Sequence, residues 1–207
     1  MVFHKYKLIF IGIPKNASHA PYAVLKNKTD AHHDHSSMEL TYEEHDKELL
    51  DTYTSFAIVR NPYSRAYSTW NYLTIIEDLP NRFGINSFQE YVHALESKTA
   101  FFKETGEELT EHELTFPQYK FICMCNKILV DHVFRLENLD EEWKKFANNY
   151  NKSSQFKINP YLKIQNSMEY KEPDWKKAYT PEMYKIINEF YKKDFELFGY
   201  KIIKNNG

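Results

Sequence analysis

The chain has 207 residues, a length that suits one domain. Hydrophobic residues make up 42%, enough for an ordinary core, and 16 Tyr and 15 Phe against 5 Gly exclude intrinsic disorder. A formal net charge of -2 excludes a global pull toward nucleic acid or an anionic membrane, though not a local basic cleft.

Residues 5–13, "KYKLIFIGI", are a short β-branched and aromatic run, which predicts a buried strand. "NASHAPYAVLKN" then opens a helix, with Pro21 confined to its first turn. Residues 27–37 are polar and irregular, and "MELTYEEHDKELLDTY" reads as a helix or two short turns. "TSFAIVR" (54–60) is a second buried strand. It runs into "NPYSRAYSTWNYL", where Asn61 caps a helix and Pro62 takes its first position. Residues 77–115 are the least patterned, and the acidic run at 104–113 reads as a solvated face.

"FPQYKFICMC" is expected to be helical and "VDHVFRLE" (130–137) a third strand. "NLDEEWKKFANNY" is an amphipathic helix with Asn138 or Asp140 near its cap. "PEMYKIINEFYKKDFELFGY" is expected to be one long C-terminal helix, begun at Pro181 and ended at Gly199. Trp70, Phe134 and Trp143 are read as core, and Glu137 as a buried structural carboxylate.

Alternating strands and helices imply βαβ units. The expected fold is α/β: a single domain over 1–207 with a P-loop-type, mainly parallel central sheet flanked by helices. Ligands of such sheets bind at the carboxyl ends of the strands. That puts Pro14–His19, Arg60–Ser68 and Arg135–Glu137 along one edge.

Cys123 and Cys125 are the only cysteines. A lone C-x-C is a poor zinc signal and makes no disulfide framework, so both are read as core thiols. The longest apolar run is strand-sized, so no membrane span is expected. The first strand begins by Tyr6, which leaves no room for a signal peptide. The expectation is a cytoplasmic protein.

"LIFIGIPKNASHA" (8–20) looks like a strand entering a phosphate-binding loop. A nucleotide kinase would carry G-x-x-x-x-G-K-[ST]. In the frame from Gly12, Ala17, Ser18 and His19 fall where the second Gly, the Lys and the hydroxyl should be. Lys15 sits instead in mid-loop, from where it could still reach an anion held by backbone N–H groups at a helix start. The alternative is a surface lysine in a strand–helix turn.

"FAIVRNPYSRAYSTW" (56–70) adds weight to the first reading. Arg60 ends a buried strand, Arg65 follows, and Ser68 lies about two helical turns beyond Arg60. A strand-end Arg and a hydroxyl on the next helix can converge on one phosphate, for which the guanidinium fork is suited. Otherwise Arg60 pairs with a carboxylate and Ser68 faces a neighbour.

"IPKNAS" followed by "VRNPYSRAYS" resembles the PAPS-dependent sulfotransferases, especially the carbohydrate sulfotransferase group. PAPS is 3′-phosphoadenosine 5′-phosphosulfate, and its product is PAP. The likeness continues through "VDHVFRLENLDEEW" (130–143) and the closing "YTPEMYKIINEFYKKDFELFGY" (179–200). It implies that Pro14, Lys15, Asn16, Ala17, Ser18 and His19 hold the 5′-phosphosulfate. It gives Lys15 the task of stabilising charge on the oxygen between phosphate and sulfur. It also implies that Arg60 and Ser68 read the 3′-phosphate. His19 departs from the Thr or Ser usual in these loops. A loop at 161–175 completes the site in this group, and Lys171 is the residue taken from it, beside Lys163, Asn166, Ser167 and Tyr170.

The implied acceptor is a hydroxyl of a sugar or glycan, whose attack needs a general base. "AHHDHSSMEL" (31–40) holds three His and an Asp, and H-x-H spacing could serve a metal. Some uronyl sulfotransferases carry H-G-H-x-S here with the second His as base. "HDHS" fits that pattern, which implies His35 as base, then His33, then Glu39 or Asp34, and no metal. The alternative is a set of polar loop histidines.

Two other classes compete. One is a non-catalytic PAP- or nucleotide-binding domain, for which His19 argues. The other is a P-loop kinase, which the missing GK[ST] argues against.

Overall fold

The computed structural model describes residues 1–26, 35–76, 78–97, 109, 112–162 and 175–204. In chain order come β1 (Val2–Phe3), β2 (Leu8–Ile11), α1 (His19–Leu25), α2 (Met38–Glu44), α3 (Lys47–Leu50) and β3 (Thr54–Val59). Next are α4 (Pro62–Ile75), α5 (Leu79–Phe83), α6 (Phe88–Ser97), α7 (Tyr119–Ile122), β4 (Cys123–Met124), β5 (Lys127–Ile128) and β6 (His132–Arg135). The last are α8 (Leu139–Ser153), α9 (Pro181–Phe190) and α10 (Lys192–Phe198). The class is α/β, with a mainly parallel central sheet flanked by helices, as the strand–helix alternation predicts.

The chain packs as two compact units, Met1–Arg60 with Gln118–Glu169, and Asn61–Pro117 with Tyr170–Gly207. The first holds a four-stranded sheet in the order β1-β2-β3-β6. β2, β3 and β6 are parallel, and β1 runs antiparallel to β2. All four residues of β2 are buried, as are Ser55 to Val59 of β3. Both faces of these strands are therefore covered, which explains their unbroken apolar runs. Phe10 stacks on Phe56 at 4.8 Å between ring centres, and Trp143 of α8 lies 5.7 Å from Phe56. Leu25 of α1 joins the same core. The start of β6 is tied to β3 by Asp131, whose Oδ2 accepts from the Ser55 N–H (2.7 Å) and hydroxyl (2.8 Å).

The second unit is helical and built around Tyr63. Its hydroxyl donates to Asn188 Oδ1 and accepts from the Ile203 N–H at 2.8 Å, while the Tyr179 hydroxyl donates to the Tyr63 carbonyl at 2.8 Å. α4 starts as expected: Pro62 is its first residue and Asn61 Oδ1 accepts from the Tyr63 N–H at 3.0 Å. Arg65 is buried there. It donates to the carbonyls of Phe116 (2.8 Å) and Leu114 (3.2 Å), so it holds a chain segment in place.

Several expectations fail locally. The first expected strand is shorter at both ends: His4–Tyr6 form a 3-10 turn and Lys7 is left-handed, so the chain reverses from β1 into an antiparallel β2 that runs only from Leu8 to Ile11. "FPQYKFICMC" gives only the four residues of α7 before the chain enters the β4–β5 hairpin. Cys125 and Asn126 form its turn with φ of 49° and 62°, the signature of a tight hairpin. Cys125 is thereby exposed and Cys123 half-buried, not core thiols. Glu137 is exposed too, and at the end of β6 Glu142 accepts from the Arg135 N–H at 2.8 Å. The C-terminal helix breaks at Tyr191, whose buried hydroxyl donates to the Thr115 carbonyl at 3.0 Å. Gly199 ends α10 with φ 64°, as expected of a terminator.

Burial pushes the Tyr191 phenol from 10.0 up to about 12, against the pull of the Arg65 charge beside it. The folded state thus keeps a proton that the unfolded chain loses first. The resulting stabilisation is complete below pH 10 and is lost as pH rises toward 12. Tyr191→Phe is expected to cost about 1 kcal/mol at neutral pH and to make the decline above pH 10 shallower. Guanidinium unfolding at neutral and alkaline pH measures both.

Candidate functional site

The register of the sheet brings the expected loops to one edge. Ile11 pairs with Ala57 and Val59 with Arg135, so the segments after β2, β3 and β6 all leave from the carboxyl edge. The loop after β2 is the one with an unusual backbone. Lys15 has φ 66° and Ala17 has φ 57°. Neither is Gly, and each left-handed residue costs roughly 1–2 kcal/mol. Strain of this kind persists only where surroundings enforce it, and it gathers at binding sites. Ser18 follows Ala17 with right-handed helical angles of -56° and -26°. A left-handed residue next to a right-handed one turns successive N–H groups to one side, the arrangement of an anion-binding nest.

The loop is held from beneath. Asn16 is 1% exposed, and its Nδ2 donates to the Ile58 carbonyl (2.8 Å) and to Gln118 Oε1 (2.7 Å). The two acceptors fix the orientation of the amide, and leave Asn16 Oδ1 buried with no hydrogen-bond partner among the described residues. Arg60 is buried at the end of β3, and its Nη1 donates to the Lys15 carbonyl at 3.0 Å. That bond uses one of the five guanidinium donors. Two cationic residues, Lys15 and Arg60, therefore share one corner of the first unit.

Pro14 and Ser18 are buried, Lys15 and Ala17 half-buried, and His19 exposed as the first residue of α1. Ser18 occupies the cap position, but its side chain makes no capping bond. His35 is half-buried, and its Nδ1 is bonded to the Gly12 carbonyl, just ahead of the loop. A carbonyl only accepts, so Nδ1 carries the proton. In the neutral ring the basic lone pair is then on Nε2. His35 is thus brought to the end of β2, 23 residues away in sequence.

Ser68 is half-buried on α4 in the second unit. His33, Asp34, Lys171 and the other candidates in 163–171 lie outside the described residues. Among the described residues no group of three or more His, Cys, Asp and Glu could hold a metal ion, and His32 and His33 are not among them. No helix among them is long and apolar enough to cross a membrane. Sequence reading missed Gln118. Its only signal was a polar residue directly after Pro117, which names no partner.

A family profile described as "Sulfotransferase family" matches residues 1–201. The match spans nearly the whole chain, and the protein belongs to the sulfotransferase family. Its class is that of transferases of sulfur-containing groups. Neither the curated proteins nor the solved structures searched give a significant match.

The strain in the loop is measurable. Ala17→Gly is expected to stabilise the protein by up to about 1 kcal/mol by relieving the left-handed cost. Ala17→Val, β-branched at a positive φ, should destabilise it by more than that. Denaturant midpoints of the two variants bracket the wild type if the loop has this backbone.

Proposed function

We propose that the protein transfers the sulfuryl group of PAPS to a hydroxyl of a sugar or glycan, in line, with a histidine base. The observation that carries the reading is the bond from Arg60 to the Lys15 carbonyl beneath a loop with nest-like backbone. The donor set fits the cofactor: backbone N–H groups, an ammonium and a guanidinium suit phosphate oxygens. When bound, PAPS supplies an activated sulfuryl group.

The chain's own residues would divide the work. Lys15 to His19 bind the 5′ end through backbone N–H groups and the Ser18 and His19 side chains, with Pro14 shaping the loop and the Asn16 amide holding it from beneath. The Lys15 ammonium neutralises charge that grows on the bridging oxygen, a task that needs no magnesium site. Arg60 binds the 3′-phosphate with its planar fork. Ser68, by the motif it shares with Arg60, and Lys171, by the family resemblance, are assigned to the same end of the nucleotide. His35 takes the acceptor proton at Nε2, because Nδ1 is committed to Gly12. His33 is the second choice for that role.

The test is transfer of labelled sulfate from PAPS across a panel of mono- and oligosaccharides. Lys15→Ala is expected to reduce transfer by about a thousandfold or more, with the fold retained. An active Lys15→Ala protein would remove the lysine from the chemistry. His35→Ala should slow transfer by about a hundredfold or more while PAP still binds. If His33→Ala does so instead, the base is the other histidine. Arg60→Ala should weaken PAP more than adenosine 5′-phosphate, which lacks the 3′-phosphate, and equal losses would contradict its role.

A further inference from the structure

Gln118 is 0% exposed, yet its side chain carries a carboxamide that must be satisfied inside the protein. It meets the backbone of one residue from both sides. Gln118 Oε1 accepts from the Arg60 N–H at 2.8 Å, and Nε2 donates to the Arg60 carbonyl at 2.9 Å. This happens where β3 has just ended: Val59 is the last residue of the strand, paired with Arg135. The side chain supplies a rung of ladder to a residue that has left the sheet. The same Oε1 accepts from Asn16 Nδ2, which also donates to the Ile58 carbonyl. One buried amide thus joins the strained loop, the end of β3 and the start of α7.

Gln118 itself has no exposed surface, so it is not a ligand-binding group. Its effect runs through Arg60. A guanidinium sits on a long side chain, and its aim depends on a fixed backbone. Gln118 fixes that backbone at N–H and carbonyl together, while Arg60 Nη1 is anchored on the Lys15 carbonyl. We infer that Gln118 is a positioning residue: it sets the aim of Arg60 on the 3′-phosphate and holds the Lys15 loop at a fixed separation from it. The inference rests on the PAPS reading above. Its specific consequence is that Gln118 governs discrimination between nucleotides with and without a 3′-phosphate, as well as stability.

Gln118→Glu is the most informative variant, since its shape is unchanged. An ionised carboxylate still accepts from Arg60 N–H and Asn16, but it cannot donate to the Arg60 carbonyl and repels it. A protonated carboxyl has a donor and an acceptor, and restores all three bonds. The variant should therefore recover function as pH falls, in the opposite sense to a loss of fold. Gln118→Met, of similar length and without polar atoms, serves as the second variant.

The experiment is calorimetric titration of each protein with PAP and with adenosine 5′-phosphate, at about pH 8 and about pH 5.5, bracketing the carboxyl titration of a buried Glu. Melting temperatures are recorded alongside. The wild type is expected to prefer PAP at both pH values. Relative to wild type at the same pH, Gln118→Glu should lose about tenfold of that preference at the higher pH, the effect of one misaimed charge-assisted bond, and regain it at the lower. Gln118→Met should lose it at both. Lower melting temperatures with an unchanged preference for PAP would overturn the inference and leave Gln118 a purely structural residue. A wild type with no preference for PAP would overturn the PAPS reading itself, and this inference with it.

Discussion

A loop with two left-handed residues, neither of them Gly, keeps its shape only if the surrounding structure holds it there. In this protein the hold is a buried polar lattice. Asn16 reaches down to the Ile58 carbonyl and Gln118, and Arg60 reaches up to the Lys15 carbonyl. Its partners come from one strand end, one loop and one short helix start, all at the carboxyl edge of the same sheet. The parallel pairing of β2 and β3 is what makes this possible, because it sends both chains out on the same side. The core beneath, with Phe10 stacked on Phe56, keeps those strands in register.

Two arginines five residues apart have different fates. Arg60, at the strand end, bonds the Lys15 carbonyl of the loop after β2. Arg65, one turn into α4, is buried among helices and binds the Leu114 and Phe116 carbonyls. The sequence motif holds both, and only Arg60 is read from it as a phosphate ligand. Burial and carbonyl partners make Arg65 a structural clamp. The position of Lys15 follows a similar logic. Sulfuryl transfer calls for charge stabilisation at a bridging oxygen, and a lysine inside the loop can give it without the Walker arrangement.

The strands, the start of α4 and the terminator Gly199 were legible because local chemistry specifies them. β-branched and aromatic runs, Asn-Pro before a helix and a Gly at positive φ act within a few residues. The outlines of the loop and of Arg60 were legible for the same reason. What escaped depends on long-range contact. The Tyr191 hydroxyl, at the helix break, bonds the Thr115 carbonyl 76 residues away, and Gln118 has partners 58 and 102 residues away. Glu137 reads in the sequence as a buried structural carboxylate, but the chain exposes it.

The central claim is that this corner of the sheet is a site for a nucleotide with a 3′-phosphate. Thermal-shift titration of the wild-type protein with PAP, adenosine 5′-phosphate and ATP with magnesium tests it most directly, because a ligand that binds only the folded state raises its melting temperature. The account predicts a saturable rise with PAP, a smaller one with adenosine 5′-phosphate and none specific to magnesium-bound ATP. A rise with ATP and magnesium but not with PAP would contradict it.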